Sequence, residues 1–201
     1  VVVNAYEYRK NKESLLEEIE NKLGYAVFIK PSNSGSSVGI TKAHNREELE
    51  KGLEEALKFD RKILVEEAIN AREVEVAVLG NDEPTAATPG EIIPANEFYD
   101  YEAKYSNAES KLLIPAALSQ DKLEEIRQLA IKIYKILDCA GLARVDFLVD
   151  KETEEAYLNE VNTIPGFTKI SMYPKMWQAD GKSYGDLVSE LIELAIERNN
   201  L

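Results

Sequence analysis

Two short runs in the last third of the chain carry side chains suited to a metal-bound phosphate: Arg144-Val-Asp146 and Glu160-Val-Asn162. Both lie in strand-like text, Leu142 to Val149 and Glu155 to Thr163. Side chains alternate along a strand, so Arg144 and Asp146 share one face, and Glu160 and Asn162 share another. If the strands pair as neighbours, two carboxylates, an amide oxygen and a guanidinium meet in one place. Hard divalent cations take oxygen ligands, and an adjacent cationic side chain suits the phosphate such an ion carries. Solvated polar residues on a half-exposed edge strand have the same spacing, so spacing alone leaves both readings open.

A chain of 201 residues can bury a core and form one or two compact units. Its 44% hydrophobic and 30% charged residues are ordinary for a globular protein. The formal charge of −13 argues against general nucleic-acid binding, which needs a basic footprint. An anionic ligand must then be met locally, by lysines, backbone N–H groups or metal. No apolar run has membrane-spanning length and no signal peptide is visible, which suggests a cytoplasmic protein. Cys139 is the only cysteine, so no intrachain disulfide can form, and its apolar neighbours suggest a buried thiol. With His44 the only histidine, a Cys/His zinc site and a Ser-His-Asp triad are both disfavoured. Val1-Val-Val-Asn4 reads as the middle of a strand without an initiator methionine, suggesting a piece of a longer protein.

Apolar periodicity predicts helices over Asn11 to Leu23, Asn45 to Phe59, Ser119 to Cys139 and from Ser183 to about Asn199, the last opened by a capping box. Strands are predicted at Val1 to Tyr8, Ala26 to Lys30, Val38 to Lys42, Ile63 to Ala68, Glu73 to Leu79, Thr85 to Ile93, Leu142 to Val149 and Glu155 to Val161. Hairpins interspersed with a few helices indicate an α+β fold with largely antiparallel sheets. A composition shift between Arg61 and Glu73 suggests a small lobe over residues 1–66 and a larger one over 67–201, with a ligand cleft between them.

Four further stretches carry chemistry. Lys30-Pro31 leads into a small-residue loop, Gly35-Ser36-Ser37-Val38-Gly39, between two strands. Such backbone can approach phosphate oxygens while the lysine adds a point charge, although no Walker A sequence is present. Val65-Glu66-Glu67-Ala68-Ile69 leaves a strand where an adenine edge and ribose hydroxyls could be met. Glu97 to Tyr105, including Lys104, has the aromatic content of a lid. Asn162 to Met172 is a turn entering a short helix, where the N–H groups near Gly166 and Ser171 could hold a carboxylate. Taken singly, each also reads as an ordinary loop, acidic corner or capped turn.

In combination and in order, these runs resemble the D-alanine–D-alanine ligases of the ATP-grasp superfamily. The matching text is Lys30-Pro-Ser with Gly35-Ser-Ser-Val-Gly39, Arg72-Glu-Val-Glu-Val-Ala-Val-Leu-Gly80, Phe98-Tyr-Asp-Tyr-Glu-Ala-Lys-Tyr105, Ala143-Arg-Val-Asp146-Phe and Glu160-Val-Asn-Thr-Ile-Pro-Gly-Phe-Thr168 with Ser171-Met-Tyr-Pro174. The resemblance implies an ATP-grasp fold of two α+β lobes enclosing a nucleotide cleft. It implies that ATP phosphorylates one D-alanine, whose acyl phosphate is attacked by the amine of a second to form the peptidoglycan dipeptide. It would place two Mg2+ ions, with Mn2+ as a substitute, on Asp146, Glu160 and Asn162. Lys30 and Lys104 would contact phosphates. Glu66, Glu67, Ile69 and Glu73 would hold adenosine. Arg144 and Gly166 would form the oxyanion site, Ser171 and Met172 the second-substrate site, and Ser36 with Tyr105 the closure of loop on lid. Tyr105 after Lys104 matches dipeptide ligases rather than the related vancomycin-resistance depsipeptide ligases.

The family also has an N-terminal domain supplying further substrate and phosphate contacts, and no segment here matches it. The chain alone is therefore expected to ligate poorly. A Mg-ATP-binding module without turnover and another ATP-grasp carboxylate–amine ligase are the alternatives, and a homodimer is compatible with all three.

Overall fold

The computed structural model describes residues 1–35, 37–93 and 111–200. They fall into two units, one holding Val1–Ile69 and the other Asn70–Ile93 with residues 111–200.

The first unit is a four-stranded antiparallel sheet in the order β1-β4-β2-β3, from β1 (Val2–Asn4), β2 (Val27–Pro31), β3 (Thr41–Ala43) and β4 (Lys62–Glu67). Among the described residues it carries three helices, α1 (Ala5–Lys10), α2 (Lys12–Leu23) and α3 (Arg46–Ala56). Leu15, Leu16 and Ile19 of α2 and Leu49, Leu53 and Ala56 of α3 recur at helical spacing. They bury against Val27, Ile29, Ile63 and Val65, the inward members of period-two strands.

The second unit is a six-stranded antiparallel sheet. Its main path runs β10-β9-β5-β7-β8, and β6 also pairs with β5. The strands are β5 (Ala71–Gly80), β6 (Thr85–Ala86), β7 (Gly90–Ile93), β8 (Lys111–Leu113), β9 (Gly141–Asp150) and β10 (Ala156–Asn162). Helix α4 (Gln120–Ile136) lays Leu123, Ile126, Ala130 and Tyr134 on one face, against Val74, Val76 and Val78 of β5 and Ala143, Val145, Phe147 and Val149 of β9. Helices α5 (Met172–Ala179) and α6 (Tyr184–Asn199) follow β10. Two buried tyrosines pin helices to β5. The Tyr134 hydroxyl donates to the Gly80 carbonyl at 2.7 Å, and that of Tyr173 donates to the Val78 carbonyl at 2.9 Å.

The fold departs from the sequence reading in four places. The strand predicted over Val1 to Tyr8 ends at Asn4, and Ala5–Lys10 is helical. The run of valines stops at Val3, and Ala, Glu, Arg and Lys favour a helix thereafter. The strand predicted over Val38 to Lys42 is confined to Thr41–Ala43, because Ser37 and Gly39 take positive φ in a turn. Thr85 to Ile93 is broken at Ala87-Thr88-Pro89, where proline offers no N–H and Thr88 donates to Asp180 instead. Strand β8, only three residues long, had no legible pattern.

Candidate active site

On β9 the residues that alternate with the buried Ala143, Val145 and Phe147 are Arg144 and Asp146, which therefore point away from α4. Across the sheet, Asp146 lies opposite Glu160 of β10 on one side and Glu75 of β5 on the other. Arg144 lies opposite Asn162 and Ala77. Two adjacent rows result: three carboxylates in one, a guanidinium and an amide in the next.

A β-bulge makes this register. Leu158 pairs with Phe147, and Glu160, not Asn159, pairs with Asp146. The extra residue turns Glu160 and Asn162 toward Asp146.

The side chains are close. Arg144 forms a bidentate pair with Asp146, Nε to Oδ1 and Nη2 to Oδ2, both at 2.7 Å. Arg144 Nε also lies 3.1 Å from Glu75 Oε2. Asn162 Nδ2 donates to Asp146 Oδ2 at 2.9 Å and to Glu160 Oε1 at 3.3 Å. Burial disfavours the Arg144 charge, but its hydrogen bonds to Asp146 and the charges of Glu75, Asp146 and Glu160 outweigh that. The guanidinium is thus held protonated above the ordinary arginine range.

The donor set fits a hard divalent cation: two carboxylates and an amide whose oxygen reaches the same place on a half-turn about its last bond. Among the described residues no three His, Cys, Asp or Glu side chains form a metal-holding group. An ion here would depend on the Asn162 amide and on ligand oxygens as well as the two carboxylates.

After β10 the chain turns through Pro165 and Gly166 into α5. A β-carbon at Gly166 would lie 3.0 Å from Ser171 Oγ, so the two meet closely. Ser171 precedes α5 but does not cap it with its side chain. Its hydroxyl accepts from the Thr168 N–H at 3.0 Å and lies 2.9 Å from Thr168 Oγ1. Met172, the first residue of α5, is buried against Gly90. Phe167 packs between Tyr173 and Tyr184, and its carbonyl accepts from the Tyr184 hydroxyl. The turn is thereby fixed, with Gly166 exposed.

In the first unit, Lys30 of β2 forms an ion pair with Glu66 of β4 at 2.5 Å. Glu66 lies opposite Phe28, two residues before Lys30 on the same face, so lysine and glutamate meet diagonally across the pair. Glu67 closes β4, and Ile69 follows in the connection to β5. Glu73 lies on β5 between Leu148 and Ile92. Ser36, Lys104, Tyr105 and the lid predicted over Glu97 to Tyr105 lie outside the described residues. Cys139 is half-buried, not fully buried; desolvation, then the neighbouring Asp138 charge, pushes its thiol up and away from nucleophilic use.

Two charged residues escaped the sequence reading. Glu75 is only 7% exposed. Its signal was an acid two residues after Glu73 in an otherwise apolar strand. Glu91, also buried, accepts from Arg72 Nη1 at 2.9 Å and from the Ala117 N–H at 3.0 Å, joining β5, β7 and the approach to α4.

Two antiparallel sheets with helices make an α+β fold, and the solved structures it resembles place it in the ATP-grasp class. The VanG D-Ala:D-Ser ligase from Enterococcus faecalis superposes with a TM-score of 0.85 at 41% identity, over 96% of this chain and 55% of that one. The D-alanine-D-alanine ligase from Coxiella burnetii gives a TM-score of 0.81 at 35% identity, over 100% of this chain and 52% of its own. The chain belongs to the family described as D-ala D-ala ligase C-terminus, whose model matches residues 1–193. D-alanine--D-alanine ligases from Clostridium novyi and Clostridium acetobutylicum are 78% and 75% identical to it, each over the whole chain and 58% of the relative. The chain thus spans somewhat more than half the length of the curated relatives it matches.

Proposed function

We propose that this chain is the ATP-handling part of a D-alanine–D-alanine ligase. The protein to which it belongs joins two D-alanines at the cost of ATP, giving ADP and phosphate, for cytoplasmic peptidoglycan precursor synthesis. The observation that carries this reading is the meeting of Asp146, Glu160 and Asn162 beside Arg144. High identity to D-alanine--D-alanine ligases supports the substrate assignment. No helix among the described residues is long and apolar enough to cross a membrane, which suits the compartment.

In this reading Asp146, Glu160 and Asn162 would hold two Mg2+ ions. When bound, the ions supply charge neutralisation for the transferring phosphoryl group. The chain's own residues divide the remaining work. Lys30 and Lys104 neutralise phosphate oxygens. Glu66 and Glu73 accept from adenine and ribose, while Glu67 and Ile69 offer backbone groups. Arg144 and the Gly166 N–H receive the charge that develops on the acyl oxygen. Ser171 and Met172 hold the second substrate's carboxylate. Ser36 and Tyr105 close loop on lid. The preceding part of the longer protein is proposed to complete the first D-alanine's site.

Phosphate release by the full-length protein with Mg-ATP tests the reading, with D-alanine alone compared against D-alanine plus D-lactate. Release with D-alanine alone is expected. Release only when D-lactate is added would assign a depsipeptide ligase instead. The 201 residues alone are expected to turn over slowly or not at all; near-normal dipeptide synthesis by them would refute the need for a further domain.

A further inference from the structure

We propose that Glu75 is a positioning residue, which holds the Arg144 guanidinium in place when Asp146 turns to a metal ion. This rests on the reading of Asp146, Glu160 and Asn162 as Mg2+ ligands.

Arg144 occupies both oxygens of Asp146. A divalent cation at Asp146 needs one of those oxygens and is repelled by the guanidinium that holds it. The arginine must therefore loosen its grip on Asp146 as the ion arrives. An arginine that is four-fifths buried and has lost its counter-ion would be costly in place or would leave the site.

Glu75 removes that conflict. Its Oε2 already lies 3.1 Å from Arg144 Nε, and it sits opposite Asp146 on the neighbouring strand. It is firmly placed, because β5 pairs along its whole length with β9, and with β7 at Glu75 itself. Glu160, the other carboxylate in the row, is exposed and is needed by the ion. The charges then divide cleanly. Asp146 and Glu160 serve the ion, and Glu75 serves the arginine. Without Glu75, the one carboxylate that Arg144 touches among the described residues is Asp146, and it competes with the metal for it.

The test titrates Mg2+ into the full-length protein holding ADP, by calorimetry. Glu75→Gln is expected to weaken Mg2+ binding by roughly tenfold, the scale of one close, partly buried ion pair. In an Arg144→Gln background the same change is expected to do nothing further, since the competitor is gone. Glu75→Asp keeps the charge but shortens the reach, and it is expected to weaken Mg2+ binding as Glu75→Gln does. It also serves if Glu75→Gln fails to fold. Equal weakening with and without Arg144, wild-type affinity in Glu75→Asp, or an unchanged affinity in Glu75→Gln would each overturn the proposal. If the wild-type protein bound ADP with no Mg2+ dependence, the metal reading itself would fall, and this inference with it.

Discussion

Asp146 has more claims on it than any other side chain in the described site. It receives two hydrogen bonds from Arg144 and one from Asn162. Such a carboxylate is poised to exchange partners, so the neighbouring Glu160 is the safer place to probe the proposed metal site. Glu160→Gln keeps the shape and removes the charge. It is expected to weaken Mg2+-dependent nucleotide binding several-fold, and an unchanged magnesium dependence of the ATP-induced thermal shift would count against the assignment. The sharing of a face by Arg144 and Asp146, and by Glu160 and Asn162, was legible from period-two spacing, although that spacing left their chemistry open. Glu75 was not. A glutamate in an apolar strand looks the same whether it faces water or an arginine, and only the pairing of β5 with β9 reveals its partner.

At the scale of elements, helices were read more faithfully than strands. Helix α2 begins at Lys12, α3 at Arg46, α4 at Gln120 and α6 at Tyr184, each within a residue of its predicted start, because long apolar stripes and caps carry redundant information. The cap at Ser183 is real but differs in detail from a reciprocal box. Its oxygen accepts from the Asp186 N–H at 3.1 Å, while its hydroxyl donates to the Asp186 carboxylate at 2.6 Å. Ser183→Ala is expected to cost about 1 kcal/mol in urea unfolding, without altering nucleotide binding. Tyr134→Phe should cost a similar ~1 kcal/mol, because it leaves the buried Gly80 carbonyl without its donor. Short strands were missed where three residues give no period to read, as in β8. The bulge in β10 did leave a trace. Ala156, Leu158 and Val161 pair with Val149, Phe147 and Val145, so the core-facing step changes from two residues to three at Asn159.

For the molecule as a whole, acid is the informative variable. Despite a net charge of −13, several carboxylates titrate below their usual range: Glu20 through its hydrogen bond to Arg46, Asp60 through the Lys62 N–H and then Asn33, and Asp150 through the N–H groups of Thr153 and Glu152. A folded-state value below the unfolded one stabilises the fold above the ordinary carboxylate range, and that contribution is lost as pH falls through the lowered value. Thermal midpoints should therefore hold steady from pH 7 to about 5 and drop below about 4. Asp60→Asn and Asp150→Asn should each lower the neutral-pH midpoint and flatten the acid limb; an acid limb as steep as wild type in both would contradict this. Arg144 contributes nothing to that limb, since it stays charged throughout.

The bulge at Asn159 makes β10 behave like a reading frame. Substitutions downstream of it change one side chain at a time. An insertion between Val161 and Asn162, with Asn162 held opposite Arg144 by the turn that follows, would instead exchange the two faces upstream of it, turning Val161 toward Asp146 and the Glu160 carboxylate toward the core. Chain length in this strand is thus under tighter constraint than residue identity, and a single-residue insertion there should disrupt both the proposed metal site and the packing of β10, where most point changes would touch only one.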